Sequence, residues 1–303
     1  MAKPFAQAKH DVARSVANFR FFADHQRDHV GEVHPMDSGH HSYSEFGPAG
    51  VVAAISPWNF PLMMATWKIA PAIAWGNTCI IKPSEDTPAS VTLLGRLAVE
   101  AGFPPGVLNV LNGHGAPAGS ALTADPRVDR VTFTGSIETG KRVMASASTH
   151  LAPVSLELGG KGANIVFEDS DLDNAVHWAA EALTIGDPFD PDTRFSALAS
   201  KRHFDKVASF VAGAEELGGT IHTGGVTDDG SWVVRPTIID GLALDSEPYC
   251  EEIFGTVWVN CFFIRDLRTP FRGVGDSGVG REGGNFSREF FTEPKAVVMQ
   301  IAR

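Results

Sequence analysis

Between residues 51 and 167, short apolar runs alternate with helix-forming stretches across loops of only a few residues. VVAAIS (51–56), TCIIKP (78–83), VLNVLNG (107–113), VDRVTFTG (128–135), PVSLELGG (153–160) and ANIVF (163–167) read as strands. MMATWKIAPAIAWG, PASVTLLGRLAVEAG (88–102, closed by Gly102), SIETGKRVMASA and DLDNAVHWAAEAL (171–183) read as helices. Nearly continuous apolar strands bury both faces when helices cover a parallel sheet on either side. The expected class is α/β, a Rossmann-like doubly wound parallel sheet. Such sheets bind ligands beyond the carboxyl ends of their strands.

The flanks are less regular. Residues 5–23 predict an amphipathic helix with Val12, Val16, Phe19, Phe22 and Ala23 on one stripe, while 31–46 are polar, His-rich and aperiodic. Further on, RHFDKVASFVAGAEELGG (202–219) predicts a helix, and WVVRPTIID (232–240) and TVWVN (256–260) predict strands. His25, His29, His34, His40 and His41 lack metal-ligand spacing, so no metal is expected. A formal net charge of −11 opposes nucleic acid and anionic membrane as partners. No apolar run approaches membrane-spanning length. Three widely spaced cysteines (Cys79, Cys250, Cys261) suggest a reducing compartment, with the cytoplasm as the default.

Four motifs sit at predicted strand ends. FTGSIETGK (133–141) contains the G-x-x-x-x-G-K of a phosphate loop, but Arg142 stands where magnesium needs Ser or Thr, so the nucleotide triphosphatase reading fails. A strand opening into a helix at Gly135-Ser136 still presents backbone N–H groups to an anion. In IKPSE (81–85), an ammonium and a carboxylate three residues apart can grip a ribose. LELGGK (156–161) sets Glu157 between leucines, and an apolar setting disfavours a charged carboxylate, which suits a general base. SPWNFP (56–61) holds Asn59 in a rigid loop, where its amide can donate to a developing oxyanion. Taken singly, the first three also have an ordinary structural reading: a Gly turn, a solvated strand end, a paired surface glutamate.

In this order and spacing, the four motifs resemble the aldehyde dehydrogenase superfamily. GDPFDPDT (186–193), RPTI (235–238), EEIFG (251–255), TVWVN (256–260) and SGVGREGG (277–284) extend the likeness over nearly the whole chain. The resemblance implies NAD as cofactor, with NADP possible, and a small aldehyde as substrate. It places Asn59 in the oxyanion hole and makes Glu157 the general base. Lys82 and Glu85 would bind the adenosine ribose, Glu85 favouring NAD by repelling a 2′-phosphate. Trp58, Gly135 and Ser136 would line the cofactor cleft, and Glu252 and Phe254 would contact its nicotinamide half. By the same analogy 1–160 form a cofactor-binding domain, with an oligomerisation segment at 31–46. Residues 161–290 form a shortened catalytic domain and 291–303 a C-terminal oligomerisation strand, implying a homo-oligomer.

One part of the family pattern is missing. Its chemistry starts with a cysteine thiolate attacking the aldehyde, and that cysteine normally follows the helix equivalent to 171–183. Here Leu183 passes directly to Thr184-Ile185-Gly186, and at Gly255-Thr256 a single glycine serves both EEIFG and GTVWVN, as two in-frame deletions would leave them. The chain also begins inside the family pattern. Cys79 reads as a core thiol and Cys250 as a loop residue, which leaves Cys261 as the stand-in. Lost strands would bare faces such as VWVNCFF and lower solubility.

IRDLRTPF (264–271) is similar to the substrate loop of hydroxymuconic-semialdehyde dehydrogenases, including the carboxymethyl branch, and Arg265 and Arg268 could clamp a substrate carboxylate. Surface arginines on a polar loop are the ordinary alternative. The expected activity is NAD-dependent oxidation of a semialdehyde of aromatic catabolism, impaired by the absent cysteine loop. The alternatives are a non-catalytic NAD-binding or assembly protein and a non-functional fragment.

Overall fold

The structure is a computed structural model of the 303-residue chain. It describes residues 3–36, 39–160, 164–165, 167–173, 183–227, 229–250, 253, 258–259, 266–269, 271, 273 and 275–300; of 164–165 and 258–259 only the backbone is described. Two compact units emerge, Val12–Leu158 with Asp266–Arg303, and Met1–Asp11 with Gly159–Arg265.

The first unit is built on a sheet of β3 (Val51–Ile55), β4 (Thr78–Lys82), β5 (Leu108–Val110), β6 (Arg130–Gly135) and β7 (Val154–Leu158). Their spatial order is β7-β6-β3-β4-β5, every neighbouring pair is parallel, and β12 (Gly278–Val279) adds an antiparallel edge beside β7. The expected doubly wound sheet is thus present. Its winding reverses between β3 and β6, so the crevice for a ligand lies at their carboxyl ends.

Alternate residues of β3 explain the layering. Val52 and Ala54 enter a core with Ile69, Cys79, Ile81 and Val91. Ala53 enters another with Val131, Phe133, Val143 and Leu156. Side chains alternate along a strand, so one short segment serves both cores. The helices α2 (Pro61–Ala74), α3 (Ala89–Glu100), α4 (Ser120–Ala124) and α5 (Ile137–Ser148) connect the strands. Pro61 starts α2, where a missing N–H costs nothing, and Gly102 ends α3 at a φ of 88°.

Two expectations need correction. The N-terminal helix α1 (Phe5–Arg27) forms, but Val12 and Val16 are exposed, at 53% and 43%. Its buried positions include Ser15, Asn18 and Phe22. Of the expected stripe Phe22 is buried and Phe19 packs against the core, while Ser15 and Asn18 take the inward positions expected of the valines; Asn18 Nδ2 donates to Thr66 Oγ1 of α2 at 3.0 Å. The segment 31–46, aperiodic in sequence, contains β1 (Glu32–His34) and most of β2 (His40–Pro48). These form a three-stranded antiparallel sheet with β13 (Thr292–Gln300), in the order β1-β2-β13. Largely exposed faces leave no alternation for the sequence to display.

In the second unit, Lys201–Glu216 is a helix whose Ser200 cap accepts the His203 N–H at 3.3 Å. The hairpin of β9 (Thr220–Val226) and β10 (Val234–Asp240) follows it. The short strands β8 (Asn164–Ile165) and β11 (Trp258–Val259) pair in parallel.

Candidate active site

Register brings the four motifs to one sheet edge. Ile55, the last residue of β3, lies opposite Lys82 on β4 and Phe133 on β6, and Thr134 lies opposite Glu157 on β7. SPWNFP, IKPSE, FTGS and LELGG therefore end side by side at the carboxyl ends of neighbouring strands. The Ser56 N–H donates to the Lys82 carbonyl at 3.1 Å and ties the first two together.

Each motif has a local cause for its shape. The Asn59 Oδ1 accepts the Phe60 N–H at 3.0 Å, which orients the amide within the loop that leads to Pro61. At β6 the missing Cβ of Gly135 matters, because a methyl there would lie 2.4 Å from the Phe133 ring. Ser136 caps α5: its Oγ accepts the Thr139 N–H at 3.3 Å and contacts Thr139 Oγ1 at 2.9 Å. The phosphate-loop glycine Gly140 instead lies within α5, against Leu158, and Lys141 pairs with Asp276 at 3.1 Å. Glu157 is buried within β7, between Leu156 and Leu158.

Lys82 is buried at the end of β4, its Nζ donating to the Pro83 carbonyl at 3.0 Å and to Glu85 Oε2 at 3.3 Å. On the other oxygen of Glu85, the His114 Nδ1 lies 3.7 Å away. Burial pushes the Glu85 carboxyl up. Its backbone hydrogen bond, Lys82 and His114 outweigh that and hold it below the ordinary carboxylate range. His114 comes from the loop after β5, which runs into a short π-helix at Gly115–Gly119. A Cβ on Gly119 would lie 3.6 Å from Lys82 Cδ, so the lysine stem passes directly beneath a glycine. A buried ammonium and an ionised carboxylate at the carboxyl end of β4 match the donor and acceptor set of a ribose.

The sequence reading missed a second charged cluster. On α2, Lys68 is buried and reaches Thr132 Oγ1 at 2.9 Å and Glu282 Oε1 at 3.1 Å. Thr132 and Ser155 also donate to that oxygen, at 2.9 and 3.3 Å. Since Ser155 and Glu157 are two apart on β7, they share a sheet face, and the ion pair lies one pleat repeat behind the glutamate. The available signal was a lone lysine inside the apolar stretch WKIAPAIA.

Arg268 forks onto Asp266 of its own loop, Nε to Oδ1 at 2.9 Å and Nη2 to Oδ2 at 2.5 Å, with 78% of its side chain exposed. That hydrogen bonding holds the Asp266 carboxyl well below the carboxylate range. Cys79 is a core thiol, as expected: it is fully buried, and loss of hydration pushes it up to about 12. Cys250 is exposed and contacts the Leu244 carbonyl at 3.1 Å. Glu252, Phe254, Cys261 and Arg265 lie outside the described residues. Among the described residues no group of three or more His, Cys, Asp or Glu could hold a metal, and no helix is long and apolar enough to cross a membrane.

A doubly wound parallel sheet with its charged and polar motifs at the carboxyl ends of neighbouring strands is the architecture of a dinucleotide-type α/β protein. The chain belongs to the aldehyde dehydrogenase family, a family of oxidoreductases; the match covers residues 1–183, 178–258 and 254–297. Its three pieces meet where the sequence departs from the family pattern, after Leu183 and at Gly255-Thr256. The chain is similar to the 2-hydroxymuconic semialdehyde dehydrogenase of Pseudomonas sp. (strain CF600), 37% identical over 394 aligned positions that cover 99% of this chain and 81% of that protein. With 303 residues here, many of those positions face none. The 2-aminomuconic 6-semialdehyde dehydrogenase of Pseudomonas sp. is 34% identical, covering 99% and 80%. Among solved structures, PnpE from Pseudomonas sp. WBC-3 superposes with a TM-score of 0.94 at 33% identity, covering 100% of this chain and 80% of that one.

Proposed function

We propose that this chain binds NAD at the carboxyl ends of β3, β4 and β6, and that it descends from NAD-dependent dehydrogenases of semialdehydes formed in aromatic catabolism. Its own aldehyde oxidation is slowed for want of a placed thiol. The observation that supports the reading is the register of Ile55 with both Lys82 and Phe133, which brings IKPSE beside SPWNFP and the Gly135-Ser136 turn. Solved relatives include PnpE in complex with nicotinamide adenine dinucleotide and the NAD+ complex of aldehyde dehydrogenase from Bacillus cereus.

In this reading Lys82 and Glu85 hold the adenosine ribose, and Trp58, Gly135 and Ser136 line the cleft. The resemblance assigns Glu252 and Phe254, which lie outside the described residues, to the nicotinamide half. Glu85 disfavours NADP, because a 2′-phosphate would approach its carboxylate. When bound, NAD supplies the hydride acceptor. Asn59 would donate to the oxygen on which negative charge develops, and Glu157 would take the proton from the hydroxyl of the hydrated aldehyde. Loss of a covalent nucleophile costs a comparable enzyme on the order of a million-fold in turnover. Cys261 is the one candidate for a stand-in thiol, and Arg265 and Arg268 are the candidates for a substrate carboxylate. The open edge of β13 in its three-stranded sheet supports a homo-oligomer.

The test is calorimetry with NAD beside a spectrophotometric assay of NAD reduction with a semialdehyde. We expect binding with turnover near background. Brisk reduction, abolished by Glu157→Gln, would overturn the impaired reading, and absence of NAD binding would overturn the cofactor reading.

A further inference from the structure

We infer that His29 is a proton-operated latch: neutral, it holds Arg288 at the base of the three-stranded sheet, and protonated, it releases Arg288 and loosens that sheet. The inference does not depend on the cofactor reading. The sheet concerned, β1-β2-β13, carries the open edge of β13 proposed above for self-association.

The geometry is that of an acceptor imidazole. Arg288 Nη1 lies 2.9 Å from His29 Nδ1. A guanidinium has donors only, so this nitrogen of the ring accepts and the ring proton sits on Nε2. The imidazole stands edge-on to Phe46 of β2 and to Trp75 at the end of α2, at 5.1 Å between ring centroids in each case. Arg288 comes from the helix Gly284–Phe291, which leads into β13, and lies over the same Phe46 ring, 4.6 Å from its centroid. One hydrogen bond and one shared ring therefore join the segment after α1, the helix before β13 and the strand β2. Beside the imidazole lies a cavity of about 310 Å³ lined by His29, Gly31, Tyr43, Ser44, Glu45 and Phe46. Its wall needs the glycine, since a Cβ on Gly31 would lie 2.5 Å from the Ser44 carbonyl oxygen.

The surrounding charges give the consequence. Arg288 faces the ring from its helix and His25 from one turn earlier on α1, while the end of α2 offers Trp75 and no charge. From β2, Tyr43 and Glu45 line the cavity, with Lys295 of β13 opposite Glu45; Glu289, next to Arg288, is exposed. Among the described residues no carboxylate pairs with Arg288. Loss of hydration, the Arg288 guanidinium and His25 hold the His29 imidazole below its ordinary value. A proton on Nδ1 would set N–H against N–H and cation against cation, so the two groups must part. The cavity gives the imidazolium room, and Glu45 on its wall gives it a carboxylate. The folded state binds fewer protons here than the unfolded chain, so the latch is whole above 6.5, the ordinary value, and weakens as pH falls below it.

The experiment is amide hydrogen exchange on the full chain at pH 7.5 and pH 5, corrected for the intrinsic effect of pH, in the parent and in His29→Phe. Phenylalanine keeps a ring against Phe46 and Trp75 but neither accepts a hydrogen bond nor titrates. Protection over residues 40–48 and 292–300 should fall several-fold more on acidification in the parent than in His29→Phe, and an equal fall in both overturns the inference. A second measurement leaves His29 in place: NMR titration of its imidazole in the parent and in Arg288→Met. The ring should titrate below 6.5 in the parent and closer to 6.5 in Arg288→Met. Equal values in the two proteins overturn the inference as well.

Discussion

Lys68 and Glu282 lie 214 positions apart in the chain and meet at 3.1 Å in the interior, with the lysine side chain wholly buried and the glutamate 6% exposed. Thr132 and Ser155 supply further hydrogen bonds to the same carboxylate oxygen. A buried pair is costly to break, because the survivor stays charged without a partner.

Lys68→Met should therefore lower unfolding free energy by about 3–5 kcal/mol. The double variant Lys68→Met, Glu282→Leu should recover a large part of that loss. Urea unfolding of the three proteins measures both, and equal stability of the single variant and the parent would refute the argument.

Gly50 immediately precedes β3 at a φ of 127°, and a Cβ there would lie 2.2 Å from Asp129 Oδ2, the oxygen that accepts the Val51 N–H at 2.8 Å. Gly50→Ala combines backbone strain with displacement of that carboxylate. The expected loss is about 2 kcal/mol or more, read as a lower denaturation midpoint. A neutral substitution would mean that the strand start is not held this way.

Cys79 should be inert towards thiol reagents. With its thiol pushed up to about 12 and no exposure, the thiolate that reacts is scarce at pH 8. Exposed Cys250 should be labelled readily by a chromogenic disulfide, whereas Cys79 should react only once denaturant is added. Mass spectrometry of the labelled peptides distinguishes the two sites, and fast labelling of Cys79 in the native protein would contradict its core position.

Glu85 links the site to pH. Its carboxyl is held below its ordinary value of 4.5, so the folded state binds fewer protons there than the unfolded state does. The resulting stability is present above pH 4.5 and disappears as pH falls through the lower folded value. Glu85→Gln should cost about 1 kcal/mol at pH 7 and progressively less in acid, because this pair is partly solvated. Parallel urea curves at pH 7 and pH 3.5 that show the same difference would rule this out.

The strands that frame the site were legible because both faces of each are covered, so apolar runs such as VVAAI and TCIIK stand out from the polar loops between them. The candidate residues were legible as four short motifs with recognisable chemistry. Other features left no local trace. The strands β1 and β2 are held by pairing with each other and with β13 rather than by a buried face. His114 is one polar residue in a glycine-rich loop, and only its approach to Glu85 gives it meaning.

Taken alone, the sequence determined the alternation of strands and helices, the motifs at the strand ends and the two places where the family pattern is interrupted, because these depend on residue type and spacing. The tertiary structure decided which distant residues meet: Ile55 with Lys82 and Phe133, Lys68 with Glu282, and Asn18 of α1 with Thr66 of α2. Such choices depend on how elements far apart in the chain pack and on whether a buried polar group finds its partner, and local pattern carries neither.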